Sequence, residues 1–102
     1  MNLDQIVSIL KANSLRSGME LKESEILEYK SSVLNDYGVV LDSTYLSFIS
    51  KVNGVALGNG YFIYPAKEED AGYLDYWTSA LKHNEFYYPE YGYYVIGSSH
   101  LS

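Results

Sequence analysis

Apolar residues recur at helical intervals through the first half of the chain. Leu3, Ile6, Val7 and Leu10 share one face of a predicted helix near residues 3 to 12, which the polar run "NSLRSG" breaks. A second helix is expected over "EILEYKSSVLNDYG", with Ile26, Leu27, Val33, Leu34 and Tyr37 marking its apolar face. Ser24 reads as its N-cap, Glu25 and Glu28 lie in its first turns where carboxylates are favoured, and Gly38 supplies its stop. Asp42 or Ser43 then caps a third helix, where Tyr45, Leu46, Phe48, Ile49 and Val52 form a tight apolar stripe.

The pair Asn-Gly follows twice in quick succession, and the two copies do different work. Asn53-Gly54 ends the third helix: Gly54 takes a left-handed conformation and Val55 folds back toward Ile49, as in a Schellman-type cap. Asn59-Gly60 lies between "VAL" and "YFIY", both of strand character, and predicts a two-residue type I′ hairpin turn. Pro65 ends the strand or places it at an edge, and "AKEEDAG" is a polar connection. "YLDYWTSALKHN" reads as a strand followed by a helical turn, "YYPEYG" as a turn, and "YYVIG" as a further strand. Helices first and strands after them predict an α+β fold, with N-terminal helices packed on an antiparallel sheet. Neither repeat nor linker interrupts the chain, so residues 1–102 are expected to form one domain.

The segment "LDSTYLSFISKVNG" (residues 41 to 54), followed by the "GNGYFIYP" hairpin, resembles the SUKH superfamily, a group of cell-wall-synthesis regulators and bacterial immunity proteins. "KESEILEY" fits that family's preceding helix, and "YYVIGSS" its later strand. The resemblance extends over about residues 20 to 100 and is strongest from 41 to 65. Members usually continue beyond "IGSS" with more strands and often a helix. Against that pattern this chain is naturally short or a fragment, and its sheet has an open edge through which a dimer could form. The resemblance implies a binding protein and not an enzyme. Bacterial members neutralise a toxin, often a nuclease, and eukaryotic members act as scaffolds. It carries no catalytic residue onto this sequence.

Charge sharpens that expectation. The net charge is −6, and residues 66 to 90 alone hold six acids against Lys67 and Lys82. An acidic surface repels phosphate backbones and favours a basic protein partner, here a basic toxin domain, over direct nucleic-acid binding. Aromatics reach 16% of the chain, with twelve tyrosines. The candidate partner-binding residues combine both features: Glu68, Glu69, Asp70, Tyr73, Asp75, Tyr76, Tyr87, Tyr88 and Glu90. The opposing reading places the rings in the core and leaves the acids to solvate a loop. Trp77, in the same stretch, is assigned to the core. Asn53, Gly54, Asn59 and Gly60 are assigned to folding.

Little in the sequence points to chemistry. Ser98 and Ser99 adjoin His100, but sequence neighbours are not a nucleophile–base pair, and no G-x-S-x-G elbow is present. His83 and His100 read as ordinary surface histidines. "EEDAGYLD" lacks the alternating order of a calcium loop, and "GNG" lacks the lysine of a phosphate loop. No metal or cofactor is expected. With no cysteine, no signal-peptide pattern at the N-terminus and no long apolar run, a cytoplasmic protein without membrane association is expected. Two rival functions stay open: a regulatory scaffold that binds a host protein, and a small hydrolase or carbohydrate-binding protein whose tyrosines stack on sugars.

Overall fold

The computed structural model describes residues 2–57, 61–68 and 79–99. Asn2 opens the first helix, α1 (Leu3–Ala12), through a reciprocal capping box. Its side chain accepts the Gln5 N–H at 2.9 Å, and the Gln5 side chain accepts the Asn2 N–H at 2.9 Å. The chain does not simply break after α1. Ser14–Ser17 form a short strand, β1, which pairs antiparallel with β2 (Val55–Leu57), with a bulge between Ser14 and Arg16. A four-residue run with one apolar side chain has no periodic signature, so only the non-local partner reveals this strand. The pairing is prolonged toward α3 (Ser43–Lys51): Gly18 donates to the Gly54 carbonyl, Asn53 to Met19 and Leu21 to Ser50.

The second helix, α2, spans Glu23–Tyr37, and its N-cap is Lys22 in place of the expected Ser24. The Glu25 carboxylate accepts the Lys22 N–H at 3.0 Å, so an acid in the first turn satisfies a backbone donor at the helix start. Its buried stripe also differs from the expected one. Tyr29 and Val33 are buried with Ile26 and Tyr37 beside them, whereas Leu27 and Leu34 are exposed. Each leucine is one residue, or about 100°, past a core position. Gly38 ends α2 at φ +68, as expected. Asp42 caps α3 by accepting the N–H groups of Thr44 and Tyr45.

The end of α3 departs from a Schellman cap. Val52 is extended, and the Gly54 N–H donates to the Val52 carbonyl at 2.8 Å. Val55 packs with Val7, Phe48 and Val52 and not with Ile49. Gly54 does have the expected positive φ, +89, but proximity adds a second demand. A Cβ there would stand 2.8 Å from the Pro65 nitrogen and 3.0 Å from the Ile63 carbonyl oxygen.

β2 and β3 (Tyr61–Ile63) pair antiparallel, Val55 with Ile63 and Ala56 with Phe62. A two-residue turn on Asn59-Gly60 would instead set Leu57 opposite Phe62, so the hairpin register is one residue away from the expected one. The turn residues themselves lie outside the described residues. So does the strand expected near Tyr73–Trp77.

The fourth helix, α4 (Ala80–Tyr91), overturns the expected turn at "YYPEYG". Pro89 falls in its last turns, where one missing N–H is a limited loss, and Gly92 ends it at φ +75. Packing holds this end, because the Tyr88 ring lies 4.7 Å from that of Tyr37 and its hydroxyl donates to the Tyr37 carbonyl. The expected strand "YYVIG" begins late: β4 is Gly97–Ser99. Buried Asn84 takes the backbone of Val95 instead, accepting its N–H at 2.9 Å and donating to its carbonyl at 2.8 Å. A side chain thus satisfies groups that a sheet ladder would have used.

Among the described residues the strands form one antiparallel sheet in the order β1-β2-β3-β4, and the fold is α+β. Alternation along β2 separates two apolar clusters. Val55 joins Val7, Phe48 and Val52, while Ala56 joins Tyr29, Val33, Ile49, Phe62 and Tyr64. An ion pair of 2.7 Å between Lys51 and Asp4 ties α3 to α1. No helix among the described residues is long and apolar enough to cross a membrane.

Candidate functional site

Glu25, Glu28, Tyr29 and Ser32 recur at the i, i+3, i+4, i+7 spacing of one helix face, and together they form one wall of a cleft of about 250 Å³. Leu21 and Leu81 supply apolar walls, and the segment after Pro65 closes it with Ala66 and Lys67. A broader cleft of about 510 Å³ adjoins it, sharing Leu21, Glu25 and Lys67 and adding Glu20, Lys22 and Glu68. Four carboxylates and two lysines therefore border the two adjoining clefts.

Asn53 positions the rim shared by these clefts. Fully buried, it donates to the Lys67 carbonyl at 2.6 Å and accepts the N–H groups of Ala66 and Lys67 at 2.7 and 3.1 Å. Lys67 is thereby brought to Glu25, and its ammonium donates to Glu25 Oε2 at 2.8 Å. That hydrogen bond, with the one from the Lys22 backbone, holds the Glu25 carboxyl below the usual range. The pair is lopsided: the lysine side chain is 67% exposed and the glutamate only 24%. The anion belongs to the cleft wall, while the cation reaches it from solvent.

Beneath the cleft a tyrosine network fixes the wall. The Tyr29 hydroxyl bonds those of Tyr45 at 2.9 Å and Tyr94 at 2.8 Å. Burial drives the ionisation of all three phenols well above its ordinary value. They stay neutral and serve as hydrogen-bonding core. His83 is half-buried and stacked on Tyr64 at 4.3 Å, and burial pushes its imidazole below the ordinary range.

The structure distributes the sequence candidates unevenly. Glu68 is exposed beside the clefts, with Lys82 at 3.6 Å, and Glu90 is exposed on α4. Tyr88, expected either at an interface or in the core, is half-buried against Tyr37. Glu69, Asp70, Tyr73, Asp75, Tyr76, Trp77, Asn59, Gly60 and His100 lie outside the described residues, as does the side chain of Tyr87. The contribution of Glu20, Glu25 and Glu28 was missed by charge counting over residues 66 to 90. A signal existed: residues 20 to 28 hold four acids and one lysine.

The arrangement can accept cations and a small apolar group side by side. In comparisons with known proteins, no family model, no curated protein and no solved structure matches the chain.

Proposed function

We propose that this chain is a non-catalytic protein-binding module of SUKH type, acting in the cytoplasm as an immunity protein that occludes a basic toxin domain. One observation carries the reading: Glu20, Glu25, Glu28 and Glu68, contributed by separate parts of the chain, border two adjoining clefts whose walls include Leu21 and Leu81. Carboxylates on such a rim steer a cationic partner and set its orientation, while the apolar wall residues supply contact area. The acids of residues 69 to 90 extend the same sign of charge along the sequence. Occlusion requires no reacting group, only complementarity to the surface a toxin uses for its own anionic substrate.

Calorimetric titration against the basic product of the adjacent gene, at low and at physiological salt, tests the proposal. Tight binding that weakens with salt and with charge reversal at Glu68, Glu69 and Asp70 supports it. Absence of binding, or binding indifferent to both changes, rejects it.

A further inference from the structure

The smaller cleft has the size and lining of a site for one side chain. At about 250 Å³ it falls below the roughly 300–1,000 Å³ typical of small-molecule pockets, yet exceeds the about 150 Å³ that holds a benzene ring. Its walls divide by chemistry. Leu21, Ala66 and Leu81 offer apolar surface, and Glu25 and Glu28 stand three residues apart on one helix face. A cation already marks the place: the ammonium of Lys67 sits 2.8 Å from Glu25 Oε2. Glu28 forms no ion pair among the described residues.

We infer that this cleft receives an arginine side chain of the protein partner, which displaces Lys67 from Glu25. The inference rests on the binding-module reading and names the group that anchors it. An arginine stem is apolar and suits the leucine walls, while its planar guanidinium carries five N–H donors in a fork. Such a fork serves two carboxylates at once, which a lysine ammonium does less well. Lys67 acts as an internal competitor. Because its side chain lies largely in solvent, it leaves the carboxylate without exposing new apolar surface.

The test is an NMR titration of the ¹⁵N-labelled full chain with the blocked peptide acetyl-Gly-Arg-Gly-amide, alongside its citrulline and lysine analogues. Expected are shifts confined to the amides around Glu25, Glu28, Tyr29 and Leu81, weaker for lysine and absent for neutral citrulline. Lys67→Ala should tighten arginine binding by roughly two- to fivefold, and Glu28→Gln should weaken it by a similar factor, the strength of an exposed ion pair. Spectral dispersion reports that each variant is folded. Shifts spread over the surface, equal response to citrulline or lysine, or unchanged affinity in Lys67→Ala would overturn the inference. The two proposals fail separately. A partner that binds in calorimetry while the peptide leaves the cleft unshifted removes the arginine site alone. A peptide that seats in the cleft of a chain with no protein partner removes the binding-module reading, and with it the partner as the source of the arginine, while the cleft's selectivity for arginine stands.

Discussion

Asn53 and Lys67 exchange hydrogen bonds in both directions: the asparagine amide donates to the lysine carbonyl at 2.6 Å, and its oxygen accepts the lysine N–H at 3.1 Å. This contact joins the end of α3 to the segment bearing Lys67 and Glu68, so the buried Asn53 also places the rim shared by the two clefts. Asn53→Ala should lower stability by about 3 kcal/mol, because buried backbone groups would lose their partners. Urea denaturation measures it. A loss under about 1 kcal/mol would show that the clamp contributes little.

Two glycines with positive φ separate conformational strain from crowding. Beyond its chain neighbours, Gly38 has no atom of the described residues within 4 Å of the site a Cβ would occupy, whereas Gly54 faces the Pro65 and Ile63 backbone. Gly38→Ala should cost about 1 kcal/mol from the left-handed conformation alone. Gly54→Ala adds a backbone clash and should cost at least about 3 kcal/mol, or prevent folding. Equal melting temperatures for the two variants would contradict the close approach.

Both glycines were legible in the sequence, and the contrast between them was not. Helix α3 could be read because its signals are local: Asp42, a dense apolar stripe and a following glycine. Strand β1, the late start of β4 and the extent of α4 depend on partners remote in sequence. Asn84 capturing Val95, or Tyr88 packing on Tyr37, leaves no periodic trace. The site divides in the same way. Acidic density around Glu68 was visible, but its union with α2 runs through Lys67 and Glu25, 42 residues apart.

The tyrosine network sets a pH response. Burial raises the ionisation of Tyr29, Tyr45 and Tyr94 above the unfolded value near 10. Above that pH the unfolded chain releases these protons and the folded chain retains them, so their stabilisation is full below about pH 10 and declines as pH rises. Tyr29→Phe should cost about 1–3 kcal/mol at neutral pH and flatten the alkaline decline. Thermal melts from neutral to alkaline pH would expose a profile left unchanged by the substitution, which would count against the network.

The cap of α3 offers a smaller effect. Asp42 accepts the Thr44 and Tyr45 N–H groups at 2.9 and 3.3 Å, and Asp42→Ala should cost about 1 kcal/mol. Asp42→Ser should recover most of that loss in the same denaturant titration.

Charge placement on the rim is tested most directly by calorimetry of the double variant Glu28→Lys, Glu68→Lys against the basic product of the adjacent gene, at low and at physiological salt. Both residues are exposed, so the fold should persist. Affinity should fall by roughly tenfold or more at low salt, with the gap from the unaltered chain narrowing as salt rises. Undiminished affinity at low salt would place the partner elsewhere on the molecule and contradict an acidic docking face.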